Sequence, residues 1–119
     1  MAQNNRAIGA QYEAKAEAYL EKQGMRILCK NYRCRQGEID LVGIHGDCLV
    51  FTEVKYRSSM QAGMPEEAVG IMKQKRICRV AEFYLYMHPY YNNFSVRYDV
   101  LAIVGEDIRW HRAAFEHIK

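Results

Sequence analysis

The chain has 119 residues, of which 50% are apolar or aromatic and 26% are charged, the balance of an ordinary folded globular protein. This composition excludes a disordered chain, a collagen-like repeat and a low-complexity segment, and the length predicts a single domain over residues 1–119. No apolar run approaches the roughly 18 residues that a membrane span requires, and the polar N-terminus lacks the apolar core of a signal peptide. We therefore expect a cytoplasmic protein that has no membrane partner.

The net charge of +3 is small, but the basic residues are unevenly distributed. One basic cluster lies between residues 26 and 35 and a second between residues 73 and 79, and neither stretch contains an acidic residue. Grouped basic residues on a nearly neutral protein suit a polyanionic partner. Two solvated surfaces are the alternative interpretation.

The first predicted element is a helix from about Arg6 to Gln23, ended by Gly24 as a C-cap. Its apolar residues recur at three- and four-residue intervals and form one stripe: Ile8, Tyr12, Ala16, Tyr19 and Leu20. Three strands are expected next, over residues 27–32, 37–44 and 48–57, the last two joined by a turn at residues 45–47.

A loop from Ser58 to Met64 is predicted to lead into a second helix that begins at Pro65 and runs to about Met87. On this helix the expected inner face includes Gln74 among its small and apolar residues: Gly70, Ile77, Ala81, Tyr84 and Leu85. Basic residues are expected on the opposite side of the helix: Lys75, Arg76 and Arg79.

Two further strands, over residues 94–104 and 108–111, and a frayed tail complete the chain. The predicted order is αβββαββ, an α/β or α+β sheet flanked by helices.

The third strand breaks its own apolar pattern. Glu53 and Lys55 are two residues apart, so both side chains continue the face on which Leu49 and Phe51 should be buried. Charged residues in positions that the pattern reserves for the core are expected at functional sites.

A two-residue turn at Gly46 and Asp47 fixes how the second and third strands pair. Paired residue numbers then sum to 93, which places Asp40 directly across from Glu53, with Cβ atoms roughly 5 Å apart. A loop with an odd number of residues would instead turn Asp40 to the other face. Two carboxylates so close repel each other unless a cation lies between them or one is protonated.

A carboxylate pair beside a lysine has a clear chemical use. Hard oxygen ligands hold Mg²⁺ and leave waters on it, and a nearby ammonium can position such a water or stabilise developing charge. The alternative, from residue types alone, is an ordinary cross-strand salt bridge among Asp40, Glu53 and Lys55.

These residues resemble the YraN-like proteins, small bacterial members of the PD-(D/E)XK nuclease superfamily that are similar to archaeal Holliday-junction resolvases. The resemblance spans residues 8–104 and rests on an ordered set of motifs. They are Glu13 on the first helix, G-E-I-D-L-V at residues 37–42, E-V-K within residues 51–57, and P-E-E-A-V at residues 65–69 before a basic helix. The resemblance implies a restriction-endonuclease-like α/β fold, a mixed sheet flanked by helices.

The resemblance also implies roles for individual residues. Asp40, Glu53 and Glu13 would bind the metal, Mg²⁺ or Mn²⁺, and Lys55 would complete the (D/E)-x-K pair. Gln74 falls where resolvase-like proteins place a polar residue facing the site, and is predicted to act with Asp40, Glu53 and Lys55 in catalysis.

One position departs from the family pattern. The chain has Tyr12 where the family usually has a glycine before the helix acid, which could narrow access to Glu13.

Basic residues near these motifs are predicted to contact nucleic acid. Arg33 and Arg35 precede the second strand, Arg57 follows Lys55, and Lys75 lies on the second helix. Such contacts position a phosphate backbone without reading its sequence.

The sequence therefore predicts a metal-dependent endonuclease that hydrolyses DNA phosphodiesters and selects its substrate, branched or single-strand-containing DNA, by structure rather than by sequence. Symmetric cleavage of two strands would require a homodimer. The alternatives are a non-catalytic nucleic-acid-binding module with the same fold and a purely structural interaction domain.

Overall fold

The computed structural model describes residues 5–57 and 69–119, with side chains for residues 7–56 and 69–119. These ranges form two helices, a single-turn 3-10 helix (Pro89–Tyr91) and a five-stranded sheet. The helices and strands are α1 (Asn5–Lys22), β1 (Arg26–Cys34), β2 (Gly37–His45), β3 (Cys48–Arg57), α2 (Ile71–Met87), β4 (Ser95–Val104) and β5 (Asp107–Phe115). The predicted order αβββαββ is confirmed, and this mixed sheet with its two helices is compatible with a restriction-endonuclease-like fold.

The strands lie in the order β1-β2-β3-β4-β5. Only β3 and β4 are parallel among the neighbouring pairs of the described sheet, and a parallel pair needs a long crossover, here α2. Because side chains alternate along β3, Leu49 and Phe51 pack with α2, whereas Val50 and Val54 pack with α1. The two helices therefore cover opposite faces of the sheet.

The first helix ends as its sequence predicts. Gly24 has a positive φ of 96°, and the backbone N–H groups of Gly24 and Met25 donate to the carbonyls of Glu21 and Leu20 at 3.1 and 3.0 Å. This is the Schellman arrangement, in which glycine adopts the left-handed conformation at little cost. It turns the chain into β1.

The turn between β2 and β3 also follows the prediction. Gly46 has a φ of 63°, and the paired residues run from His45↔Cys48 to Leu41↔Thr52. Their numbers sum to 93, so the even-numbered residues of β2 and the odd-numbered residues of β3 share the face that α2 covers at this hairpin. This register brings Asp40 to the end of the ladder beside Glu53.

The predicted start of the second helix is wrong. Residues 58–68, which include the expected loop from Ser58 and the expected helix start at Pro65, lie outside the described residues. Val69 and Gly70 are not helical, and α2 begins at Ile71. Gly70 is extended (φ −74°, ψ 169°), and its carbonyl accepts the first helical hydrogen bond, from Gln74 N at 3.0 Å.

The inner face of α2 is largely as predicted, since Ile77, Ala81 and Tyr84 are buried. Gly70, which was expected on that face, instead lies exposed before the helix. In the described ranges, neither helix combines the length and the apolar character that crossing a bilayer requires.

The C-terminal residues do not form a frayed tail. The last strand extends to Phe115, four residues beyond the predicted end, because a bulge opposite Asp99 lets pairing resume at Tyr98↔Phe115. Beyond it, His117 hydrogen-bonds the Tyr98 hydroxyl at 2.6 Å, and the Ile118 N–H donates to the sulfur of Cys78 at 3.4 Å. The tail prediction is wrong because polar contacts after the strand hold these residues against α2 and β4.

Candidate active site

Asp40 lies where the pairing of β2 with β3 stops. The last paired residues are Leu41 and Thr52. Beyond them, Oδ2 of Asp40 accepts a hydrogen bond from the backbone N–H of Val54 at 2.8 Å. A side-chain oxygen thus takes the place of a main-chain acceptor, which fixes the orientation of the Asp40 carboxyl at the end of the ladder.

Asp40 and Glu53 form a hydrogen-bonded carboxyl pair. Glu53 is only 6% exposed. Burial, followed by the hydrogen bond to Glu53 and its charge, raises the pKa of Asp40 to about 9. Burial alone would raise the pKa of Glu53 as well, but its hydrogen bonds with Asp40 and Lys73 outweigh that effect and lower it. At neutral pH the pair therefore holds one proton, on Asp40, and one negative charge, on Glu53.

Two lysines complete the constellation. Lys73, in the first turn of α2, forms an ion pair with Oε2 of Glu53. Lys55, two residues along β3 from Glu53, is half-buried and lies beside Lys73. Burial and the neighbouring amine lower the pKa of Lys55, although the charge of Glu53 opposes this. The predicted neighbourhood of Asp40, Glu53 and Lys55 is thus present, with Lys73 added to it.

Lys73 is the residue that sequence reasoning missed, since it was counted only as a member of a basic cluster. A signal for it exists only once the start of α2 is known. The partial positive charge at a helix N-terminus disfavours a lysine in the first turn, and once the helix starts at Ile71, Lys73 occupies that turn. Such a placement calls for a nearby acid, which β3 supplies as Glu53.

A cleft of about 300 Å³ opens over Asp40, Glu53 and Lys73. It is lined by Gly37, Glu38, Asp40, Glu53, Lys73, Arg76 and Ile77. Gly37 has a φ of 147°, a conformation that residues with a side chain rarely adopt, and a Cβ built there would lie 3.5 Å from Val80. The glycine of the G-E-I-D-L-V motif is therefore required by its backbone conformation, since a Cβ would make only ordinary contact with α2. Arg76, expected on the side of α2 opposite its apolar inner face, is exposed and also lines this cleft.

Glu13 lies in a neighbouring cleft of about 450 Å³, on the side of α1. This second cleft is lined by Gly9, Ala10, Glu13, Asn31, Arg33 and Glu38. In the amide orientation that satisfies both neighbours, Asn31 Nδ2 donates to Glu13 at 3.0 Å and to Glu38 at 3.2 Å. Asn31 adopts a left-handed φ of 53°, which asparagine tolerates better than most residues.

The three predicted metal-binding acids do not meet at one point. Within residues 5–57 and 69–119, no three His, Cys, Asp or Glu side chains converge closely enough to hold a metal ion. Glu13 nevertheless lies near enough that its charge contributes to the raised pKa of Asp40, after burial and Glu53. Its role as a third ligand stays a prediction.

Gln74 is satisfied by its own helix start. Its side-chain Nε2 donates to the carbonyl of Val69 at 3.0 Å, and its backbone N–H donates to Gly70. It thereby ties the chain before α2 to the first turn, next to Lys73. Its predicted part in catalysis stays a prediction.

The basic clusters lack acids in the sequence, but the fold supplies them. Lys30 pairs with Glu17 and Arg33 with Glu38, each at 3.2 Å. The Arg33 side chain is 76% exposed, and exposed pairs of this kind are weak and easily exchanged. Arg35 is exposed in the turn between β1 and β2.

Two more residues were predicted to contact nucleic acid. Lys75 is exposed on α2, in the turn that also carries Lys73. The side chain of Arg57 lies outside the described residues. All four predicted nucleic-acid contacts stay predictions.

The tyrosine before the helix acid packs within the protein. The rings of Tyr12 and Tyr56 stack with centroids 4.3 Å apart and planes 11° from parallel. Neither ring lines the cleft that holds Glu13. Access to Glu13 from that cleft is therefore not narrowed by Tyr12.

Known proteins are similar to this chain over most of its length. The profile of uncharacterised protein family UPF0102 matches residues 12–103. A UPF0102 protein of Lachnoclostridium phytofermentans is 43% identical over 113 residues, which cover 95% of this chain and 96% of that protein. Another of Syntrophus aciditrophicus is 48% identical over 87% of this chain and 80% of its own length. A third, of Cytophaga hutchinsonii, is 44% identical over 83% and 86% respectively.

Proposed function

Since this chain belongs to uncharacterised protein family UPF0102, whose name states no activity, we propose from its own side chains that it is a metal-dependent endonuclease acting on DNA. The observation that carries the proposal is the pair of half-buried Asp40 and buried Glu53, which line a cleft with Lys73 and lie close to Lys55. Two carboxyls held together away from solvent cost stability, and a cost of this kind is expected at a functional site.

The donor set fits Mg²⁺ or Mn²⁺. Asp40 and Glu53 offer hard carboxylate oxygens. Without a metal, a proton held by Asp40 relieves the repulsion between the two groups. A divalent ion can replace that proton. Mg²⁺ keeps several waters and commonly takes one or two carboxylates from the protein, with substrate phosphate as a further ligand, so a pair of acids is sufficient.

When bound, the metal would polarise a phosphate oxygen and lower the pKa of a coordinated water. The chain's own residues supply the rest. Asp40, oriented by the Val54 N–H, and Glu53 would hold the ion, and Lys55 would orient the attacking water or stabilise the charge that develops on the phosphate. Arg76, on the cleft wall, is placed to neutralise a phosphate oxygen.

The exposed basic residues favour a nucleic acid as substrate. We expect Arg33, Arg35, Arg57 and Lys75 to contact phosphates, and contacts of this type carry no sequence information. We therefore propose selection by DNA structure, with branched or single-strand-containing DNA preferred. Symmetric incision of two strands needs two sites, so this function predicts a two-fold dimer on substrate.

The test is cleavage of a labelled panel of single-stranded, duplex, flap and four-way-junction DNA with Mg²⁺ or Mn²⁺. Wild type is compared with Glu53→Ala and with a control, Glu106→Ala, whose side chain is exposed in the β4–β5 turn. Cleavage that is lost in Glu53→Ala and kept in Glu106→Ala supports the nuclease. Absence of cleavage by wild type, with binding that weakens as salt rises, would instead support the non-catalytic nucleic-acid-binding module.

A further inference from the structure

We propose that Lys73 is the resident counter-cation of Glu53, and that a divalent metal ion must displace its ammonium to bind the Asp40–Glu53 pair. The proposal rests on the proposed function, because it concerns the same metal site. It assigns Lys73 a role that neither the family resemblance nor the E-V-K motif suggests. The consequence is that Lys73 sets the metal affinity of the site.

The first step is the contact itself. Lys73 forms an ion pair with Oε2 of Glu53, an oxygen that a metal ion at this pair would use. An ammonium and a metal ion both seek the same carboxylate lone pairs and repel each other at such distances. Their mutual repulsion therefore disfavours binding of both cations at this carboxylate.

The second step is how the fold fixes the position of Lys73. Lys73 stands in the first turn of α2, which carries no acidic residue of its own. A positive side chain is unfavourable there, since it adds to the partial positive charge of the helix N-terminus. The hydrogen bonds of Gln74 with Val69 and Gly70 fix this turn. The position of Lys73 is thus held by the helix start and stabilised mainly by Glu53.

The third step is which partner can move. The Glu53 side chain is 7% exposed, whereas that of Lys73 is 38% exposed. Glu53 is confined within the sheet, but a lysine has a flexible four-carbon stem and a strongly hydrated ammonium. Lys73 can therefore swing toward solvent, and Glu53 cannot.

The fourth step is the charge balance of the cluster. Lys55 and Lys73 provide two amines beside the two carboxyls of Asp40 and Glu53. A divalent ion that enters this arrangement meets positive charge on the side of the lysines. Removing the Lys73 charge at an effective dielectric constant near that of a protein surface should strengthen metal binding by at least about tenfold.

The experiment measures the Mn²⁺ dissociation constant by titration calorimetry, or by electron paramagnetic resonance of free Mn²⁺, without nucleic acid. Wild type is compared with Lys73→Met, Lys73→Arg and Lys75→Met. The arginine variant keeps a positive charge beside Glu53. The Lys75 variant removes a positive charge from an exposed position of the same helix. Circular dichroism and thermal unfolding in EDTA check that each variant is folded.

We expect Lys73→Met to bind Mn²⁺ at least about tenfold more tightly than wild type, with Lys73→Arg and Lys75→Met near wild type. Binding by Lys73→Met that equals or falls below wild type overturns the inference and leaves the metal site intact. Absence of binding in wild type and every variant overturns the proposed function and, with it, this inference. If Lys73→Met does not fold, Lys73→Gln is measured in its place. Tighter Mn²⁺ binding than in wild type then supports the inference, and unchanged Mn²⁺ binding overturns it.

Discussion

The carboxyl of Asp40 lies beside that of Glu53, one residue beyond the last paired residues of β2 and β3. The same carboxyl accepts the N–H of Val54 at 2.8 Å. Burial and the neighbouring Glu53 raise the pKa of Asp40 to about 9, so Asp40 holds a proton at neutral pH and the pair avoids the repulsion between two charged carboxylates. A cation that binds here must first take the place of the proton, which couples metal binding to proton release.

The first prediction concerns stability without metal. Because the pKa of Asp40 is raised to about 9 in the folded protein, the folded state keeps a proton that the unfolded state loses above about pH 4. The stability that this proton contributes is fully present below pH 4 and declines as pH rises toward 9. Asp40→Asn should therefore raise the melting temperature in EDTA at pH 8, by about 5 °C, and much less at pH 5.

The effect of pH on stability has the opposite sign for Glu53. Its pKa is lowered, so its stabilising effect is present above the ordinary glutamate range and lost as pH falls below it. The test is thermal unfolding between pH 4 and pH 9 in EDTA, with Glu106→Ala as the surface control. A melting temperature of Asp40→Asn that runs parallel to wild type across this range would contradict the assigned proton.

The second prediction separates metal binding from chemistry. Lys55 is half-buried beside Glu53 and Lys73, but it offers no oxygen to a metal. Lys55→Met should therefore still be stabilised by Mn²⁺, by about 2.7 kcal/mol at a hundred times its dissociation constant. Cleavage should fall by about a hundredfold or more, since one positioned charge is lost from the transition state.

The measurements are melting temperature against Mn²⁺ concentration and initial cleavage rate on the preferred DNA. Asp40→Asn serves as the matched variant that should lose both responses. A Lys55→Met protein that cleaves at the wild-type rate would remove Lys55 from the mechanism.

The sequence predicts the hairpin that carries the site because local rules determine it. Gly46 sets the turn, and the two-residue turn sets the register from His45↔Cys48 onward. Asp40 and Glu53 then meet without any help from the rest of the fold. The E-V-K spacing likewise places Lys55 on the same face as Glu53.

The sequence does not predict Lys73, because its position depends on where α2 begins. The proline and two glutamates at residues 65–67 are typical of a helix start, yet the helix begins after Gly70. A shift of the start changes which residue occupies the first turn. The contact with Glu53 is also formed between α2 and β3, by residues 20 positions apart, and no periodic pattern encodes it.

The sequence does not predict the full length of β5 for a similar reason. Ala113 has a left-handed φ of 51°, which its residue type disfavours. Its N–H donates to the buried carboxylate of Asp99 at 3.0 Å. The bulge that lets β5 continue thus depends on a side chain 14 residues away rather than on local sequence.

The third prediction tests this buried carboxylate. Asp99 is fully buried and accepts hydrogen bonds from both nitrogens of the Arg97 fork and from Trp110 Nε1, at 2.8 to 2.9 Å. Asp99→Ala leaves the Arg97 guanidinium, whose side chain is 16% exposed, without its partner. Removing one member of a buried ion pair costs about 3–5 kcal/mol, so the free energy of unfolding should fall by that amount.

Urea denaturation measures the loss, with Glu106→Ala expected to stay within about 0.5 kcal/mol of wild type. Asp99→Asn, which keeps one acceptor oxygen, should fall between the two. A loss below about 1 kcal/mol for Asp99→Ala would show that the network contributes little to stability.

The fourth prediction concerns the residues after β5. His117 links the Tyr98 hydroxyl at 2.6 Å to the carboxylate of Glu82 at 2.9 Å. The Ile118 carbonyl accepts from Arg79 on α2, and its N–H donates to Cys78. Deleting residues 116–119 removes these contacts and leaves the Tyr98 hydroxyl, in a residue only 2% exposed, without its histidine.

The deletion should lower the free energy of unfolding by about 1–3 kcal/mol, the cost of an unsatisfied buried polar group, and should increase amide exchange in the half of α2 that carries Arg79 and Glu82. Deleting Lys119 alone is the matched control and should change neither quantity. Because Glu82 and Arg79 also pair with each other at 2.9 Å, the helix should remain folded in the shortened protein. Equal stability of the shortened and full-length chains would mean that these residues are a frayed end after all.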